Sequence, residues 1–202
     1  MPWYDTFATF YDASLERHYA APHRQAVAAL DVRPDSVVLD VPVGTGQALP
    51  HLAPLAGRVI GVDLSDGMLA RARARSDRAG WTNVDLVHGD AARVDHLPAR
   101  PDRLHVFLGT TVFPDPVATL DALWRVLAPG GRVVLVDVHA ARPGLQGRLV
   151  QCMARADLTR TAWTWLERRA PDARREVLRE AWSDGGTLWL ATGRKPATSD
   201  TP

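Results

Sequence analysis

The sequence predicts an α/β domain: a three-layer sandwich with a seven-stranded, mostly parallel sheet and an antiparallel C-terminal hairpin. Two observations predict it. Five short apolar, β-branched runs alternate with helical stretches, the pattern of right-handed βαβ units that cover both faces of a parallel sheet. The last part of the chain breaks this alternation, because two strand-like runs there flank a glycine turn.

The elements follow in order. Val37–Val41 reads as a buried strand, and Arg58–Asp63 as a second. Val84–Asp90 is a third, more alternating strand, Leu104–Gly109 a fourth and Gly131–Val138 a fifth. Ser65 is placed to cap a helix over Asp66–Ala79, which is rich in alanine, leucine and arginine. Val117–Leu127 sets Leu120, Leu123, Trp124 and Leu127 on one helical face, and Pro129-Gly130-Gly131 stops that helix. Residues 1–30 read as a helical N-terminal cover and 140–175 as further helices. Residues 177–195 read as the hairpin, with strands Val177–Trp182 and Thr187–Thr192 joined through Ser183–Gly186. Pro196 to Pro202 read as a frayed end, and residues 1–202 as one domain.

Composition bounds the function. A chain of 202 residues can bury one sizeable core, and 46% hydrophobic with 23% charged residues argues against global disorder. Twenty-four basic residues against 23 acidic ones argue against a strongly basic nucleic-acid binder. Lys195 is the only lysine, so the positive charge is almost all arginine. Cys152 is the single cysteine, which excludes an intrachain disulfide and a cysteine metal cluster, and the histidines lack metal-ligand spacing. No secretory signal and no apolar run near the roughly 20 residues of a membrane span are read, so a cytoplasmic protein is expected.

Three motifs carry chemistry. The first is Val37-Val-Leu-Asp-Val-Pro-Val-Gly-Thr-Gly46, a buried strand running into a glycine turn and a helix. In open α/β sheets ligands bind outside the carboxyl ends of strands at such turns. Gly44 and Gly46 match the first two glycines of a dinucleotide fingerprint, but Leu49 stands at the third position. A tight turn without ligand is the alternative. The second is Gly61-Val-Asp63, whose carboxylate, 17 residues after Gly46, suits both hydroxyls of a ribose or, alternatively, helix capping. The third is Gly89-Asp90-Ala91, suited to an adenine edge or to a plain strand-end turn. All three fall at the carboxyl ends of successive strands.

In this order, together with Val62-Asp-Leu-Ser-Asp-Gly-Met68 and Leu123-Trp-Arg-Val-Leu-Ala-Pro-Gly-Gly131, the motifs resemble class I S-adenosylmethionine-dependent methyltransferases of the small-molecule, type 11-like kind. The resemblance covers about Tyr4 to Lys195 and implies a Rossmann-like fold with a cofactor-binding core over residues 37–138. It implies that Asp40, Gly44 and Gly46 line the amino-acid end of S-adenosylmethionine and that Asp63 binds the ribose. Leu64 and Met68 would lie against the adenine, and Asp90 and Ala91 would read its edge. Leu108 and Gly109 would sit near the carboxypropyl arm, and Tyr11 in the N-terminal segment would help close the pocket. Pro42 departs from the pattern, replacing the first turn glycine and removing an N–H.

A sulfonium methyl is already electrophilic, so the protein needs chiefly to align a nucleophile and exclude water, adding a base only where a proton must leave. His139, after the fifth strand, is the candidate catalytic residue, against a solvent-exposed loop histidine. His18, Tyr19 and His23 line the entrance or the surface, and His51 and His105 read as structural. Between Arg142 and Glu180 nine arginines meet five acids, an excess suited to an anionic substrate or a membrane surface. Leu145, Leu149 and Met153 form an apolar stripe there, read first as a packing face, and Trp163, Trp165 and Leu166 anchor the next helix. The expected activity is methyl transfer to a small-molecule acceptor, with no nucleic-acid partner and no integral membrane segment. The alternatives are a relative that binds the cofactor without methylating and, disfavoured by Leu49, a nucleotide-dependent oxidoreductase.

Overall fold

The computed structural model describes residues 18–180 and 186–197. Helix α1 is described over 18–30 and leads into β1 (Val37–Asp40). There follow α2 (Leu49–Leu52), β2 (Arg58–Asp63), α3 (Asp66–Ala79), β3 (Val84–His88) and a 3₁₀ turn over Ala91–Arg93. Then come β4 (Arg103–Phe107), α4 (Pro116–Val126), β5 (Arg132–His139), α5 (Leu145–Ala154), α6 (Trp163–Glu167), β6 (Arg174–Glu180) and β7 (Thr187–Arg194). One seven-stranded sheet has the order β3-β2-β1-β4-β5-β7-β6. The first five strands pair in parallel, and β7 runs antiparallel to both β5 and β6. The expected Rossmann-like sandwich is the observed fold.

Local chemistry sets the element ends. Ser65 caps α3 by accepting the Met68 N–H at 3.3 Å, and Gly80 ends it in the left-handed region. Asp115 caps α4 by accepting the Ala118 N–H, with Pro116 in the first turn. Strand β4 stops at Phe107, two residues before the expected end, because Leu108 leaves extended backbone at φ +53°. Strand β6 begins at Arg174, three residues before the predicted Val177. It is the sheet edge and carries exposed charged residues in place of an apolar run, as edges do to resist mispairing.

Alternation along the strands divides the core. Val38, Val134, Val136, Leu188 and Leu190 face a cluster with Ala26 and Leu30 of α1, Leu49 and Leu52 of α2, and Leu69 and Ala72 of α3. Leu39, Ile60, Leu104, Val133 and Leu135 face the other side, with Leu120 and Leu123 of α4 and Trp163, Trp165 and Leu166 of α6. The three α6 residues are buried, as an anchoring role requires. Helix α5 corrects a second expectation: Leu145 and Leu149 are exposed, so its apolar stripe does not pack inward. Among the described residues no helix is long and apolar enough to cross a membrane.

Candidate functional site

The carboxyl ends of β1, β2, β4 and β5 lie along one sheet edge and carry the motif residues. After β1 the chain turns through Gly44 (φ +55°) and Gly46 (φ +79°), both in the left-handed region that glycine enters without strain. The two glycines do different work. A Cβ on Gly44 would meet nothing within 4 Å, so this backbone faces open space. A Cβ on Gly46 would strike Leu49 Cδ1 at 2.8 Å and the Ala72 backbone of α3 at 3.2 Å. Leu49 is fully buried, so the position where a third fingerprint glycine would stand is filled by core packing.

Pro42 fits this turn. The Val41 N–H donates to the His105 carbonyl at 3.0 Å and the Val43 N–H to the Val62 carbonyl at 2.9 Å, so the backbone is tied to β4 and β2 on either side of the proline. The Val41–Pro42 peptide is cis. The proline ring occupies the place where a side chain on Gly109 would be, with Cδ 2.5 Å from the position of such a Cβ.

Asp63 locks the turn to β2. Its Oδ2 accepts the Gly44 N–H at 2.8 Å and its Oδ1 accepts the Ser65 N–H at 2.9 Å. Burial raises its pKa, against the lowering effect of the Ser65, Gly44 and Leu64 N–H groups, with nearby Asp40 raising it further. Leu64 beside it is 59% exposed, and Met68 is half-buried at the start of α3. The Gly89 N–H donates to the Asp63 carbonyl at 3.0 Å, and exposed Asp90 caps the 3₁₀ turn by accepting the Ala92 N–H, with Ala91 half-buried.

Asp40 is buried, and His105 is fully buried beside it. His105 Nδ1 lies 2.7 Å from Asp40 Oδ1, while Asp40 Oδ2 and His105 Nε2 have no protein partner. An unpaired buried carboxylate oxygen is costly. His105 therefore has the packed setting expected of it, but it also holds the motif aspartate. His23 lies above this pair, buried and stacked on Phe107 with ring centroids 3.8 Å apart. Burial pushes its pKa down to about 3, aided by the charges of His105, His51 and Arg75 and opposed by a hydrogen bond that the ring donates to the Gln47 side chain. His23 is a neutral core residue, which removes its surface reading. Tyr19 packs edge-on against Phe107, and the Arg179 guanidinium lies 5.3 Å over the Tyr19 ring. Tyr11 lies outside the described residues.

The loop after β4 is held from below. Leu108 donates its N–H to the Val136 carbonyl at 2.8 Å while keeping a positive φ, a rare state for leucine. Asp137, fully buried in β5, accepts from the Thr110 hydroxyl (2.7 Å), the Thr111 hydroxyl (2.9 Å), the Thr111 N–H (3.0 Å) and the Val138 N–H (2.8 Å). Burial raises its pKa and these four donors oppose the rise. Arg160 fastens the same loop through the Thr110 and Phe113 carbonyls. Sequence reasoning missed Asp137. Its signal was a lone carboxylate inside the apolar run Val133–Val138.

His139 ends β5 half-buried, edge-on to Trp163. Its Nδ1 lies 3.1 Å from the Arg160 carbonyl oxygen. A carbonyl only accepts, so Nδ1 carries the hydrogen and Nε2 of the neutral ring is the basic nitrogen. The ring lies on the α6 side of the sheet, whereas Asp40, His105 and Phe107 face α1.

A glycine turn that faces open space, aspartates at successive strand ends and this strand order make up the candidate site on a methyltransferase-type fold. Residues 38–131 match the family described as methyltransferase domain. A phosphatidylethanolamine N-methyltransferase of Cereibacter sphaeroides is 32% identical over 183 residues, covering 89% of each chain. A demethylmenaquinone methyltransferase of Shouchella clausii is 33% identical over 127 residues, covering 61% of this chain. The chain spans about half the length of that enzyme (54%). Among solved structures, phosphoethanolamine N-methyltransferase 2 of Haemonchus contortus in complex with S-adenosyl-L-methionine superposes with a TM-score of 0.72. That match has 18% identity over 85% of this chain and 52% of the other, and shows the shared fold. The chain belongs to the class I S-adenosylmethionine-dependent methyltransferases.

Proposed function

We propose that the protein transfers the methyl group of S-adenosylmethionine to a small acceptor with lipid-like character. The observation that carries this reading is the joined pair of strand ends: open Gly44 bonded to Asp63, beside buried Asp40 with one unpaired oxygen. These residues fit the cofactor. Asp40 Oδ2 is an acceptor awaiting a donor, which the ammonium of the amino-acid end provides. Both Asp63 oxygens keep lone pairs for ribose hydroxyls, and exposed Leu64 with Met68 offers an apolar face to the adenine. Asp90 and the Ala91 N–H would meet the adenine edge, and Leu108 and Gly109 would border the carboxypropyl arm.

When bound, the cofactor supplies an electrophilic methyl group. The chain's own residues orient the partners and exclude water. His139, whose ring lies on the α6 face opposite Asp40, would offer Nε2 as a base to an acceptor that enters from that side and must lose a proton. The lipid character rests on the relatives of Cereibacter and Shouchella, whose names give a phospholipid and a quinone precursor as their substrates. Calorimetry with S-adenosylmethionine tests the first half of the reading, with binding heat expected for the intact protein and its loss on Asp63→Ala. Absence of heat from the intact protein overturns it. Labelled methyl donor with lipid extracts tests the second half, and binding without any transfer would favour a relative that holds the cofactor for another purpose.

A further inference from the structure

We propose that α5 is a docking surface for an anionic lipid bilayer, which sets the site against the membrane that holds the acceptor. The inference rests on the methyl-transfer reading for its purpose, but its evidence is separate. Helix α5 is turned inside out. Its protein-facing side is made of small or partly covered residues: Gly147 is buried, and Val150 and Ala154 are half-buried. Two of its large apolar residues point away, Leu145 at 86% and Leu149 at 58% exposed, with Cys152 exposed on the same face, while Met153 is half-buried. Residues 145, 149 and 152 are one and two turns apart and form a continuous stripe. A globular protein normally turns such a stripe toward its core.

The charge around the stripe names the occupant. Arg142, Arg148 and Arg155 are exposed, and no acid occurs from Val138 to Ala156. The next acid, Asp157, is held by Thr159 and Arg160. Leucines flanked by arginines form the pattern of a helix lying in a membrane interface, where apolar side chains enter the acyl boundary and cations meet anionic headgroups. A symmetric contact with a second copy would set these arginines against themselves. The placement suits delivery of an acceptor. Helix α5 follows β5 through a short loop, so it lies at the carboxyl edge of the sheet. Its last residue, Ala154, packs on the cluster that Tyr19 and Leu108 also border.

Sedimentation with vesicles tests this, using the full chain without cofactor. Binding is expected to phosphatidylcholine vesicles that contain phosphatidylglycerol, to weaken with salt, and to be absent with phosphatidylcholine alone. The double variant Leu145→Glu/Leu149→Glu should lose binding more than tenfold while retaining its melting temperature and its binding heat with S-adenosylmethionine. Arg142→Gln, Arg148→Gln and Arg155→Gln should each weaken binding by about fivefold. The proposal is overturned if the intact protein ignores anionic vesicles or if the double variant sediments as before. It is also overturned if the protein is a dimer that the double variant splits, which assigns the face to a second copy. Each of these failures leaves cofactor binding intact, whereas failure of the methyl-transfer reading appears as missing cofactor heat.

Discussion

The two halves of the sheet are built on different principles. In the half from β1 to β3 the turns that form the candidate cofactor site rest mainly on devices within a turn or one strand pair, namely positive-φ glycines at 44 and 46, the Ser65 cap and the Asp63 carboxylate, with Asp40 and Val41 tied in addition to His105 of β4. In the half from β4 to β7 the site edge is held by contacts distant in sequence. Asp137 gathers Thr110 and Thr111, Arg160 reaches Thr110 and Phe113, and Arg179 lies over Tyr19. The first half is prepared for an invariant ligand by local rules. The second is a scaffold whose shape follows its tertiary contacts, which suits a variable acceptor.

The largest test of this difference is Asp137→Ala. It removes the acceptor of four hydrogen bonds in a fully buried site, so a stability loss of about 3 kcal/mol is expected in thermal or denaturant unfolding. Asp137→Asn keeps one oxygen and the volume, and should cost less. A loss below about 1 kcal/mol for the alanine variant would mean that the β4 loop holds itself, and the contrast between the halves would fail.

Asp63→Ala is the matching test in the first half. Loss of charge-assisted hydrogen bonds to two ribose hydroxyls should weaken S-adenosylmethionine binding about 100-fold in calorimetry. The pH dependence carries the sign of the raised pKa. The ligand hydroxyls need the carboxylate, so affinity should fall as pH drops through a window just above the ordinary carboxylate range. The stability of the free protein should move oppositely in that window. A carboxyl whose folded pKa exceeds its unfolded one binds more protons when folded, so its contribution to stability grows as pH falls. Asp63→Asn should flatten the affinity profile. A wild-type affinity that is already flat there would break the assignment.

The same division explains what was legible in the sequence. The Ser65 cap, the glycine turn and the strand end at Asp63 could be read because each depends on neighbours a few residues away or on a strand's own pattern, whereas β3 stops at His88, two residues short of the expected Asp90, which caps the next turn instead. The start of β6 at Arg174 was hidden because an edge strand with exposed charges has no apolar run. The burial of His23 was hidden because it is set by Phe107 from a distant strand. The outward leucines of α5 obey the helical period the sequence shows, but a period does not say which face meets the core. Asp137 was visible as an anomaly in its strand, yet its partners lie 26 and 27 residues back.

His139→Asn tests the acceptor half by function. If Nε2 takes the proton, turnover should fall about 100-fold with cofactor affinity unchanged. Unchanged turnover would leave His139 as a packing residue against Trp163.

The smallest effect is the sharpest on the comparison, because it concerns one backbone angle. The first half reaches its left-handed turns with glycine, whereas the end of β4 puts Leu108 there at φ +53°. Its N–H on the Val136 carbonyl and the packing of Pro42 against Gly109 keep the chain in place. A side chain at this angle costs about 1 kcal/mol that glycine does not pay. Leu108→Gly should therefore be more stable than Leu108→Ala by about that amount, reversing the order expected in regular structure. The comparison of the two variants removes the leucine packing from the difference. If alanine proves equal or better, the β4 end relaxes once the leucine is gone, and the strain belongs to the leucine's own packing. If glycine wins, distant contacts impose the angle on whatever residue stands there, which is the property that separates this half of the site from the other.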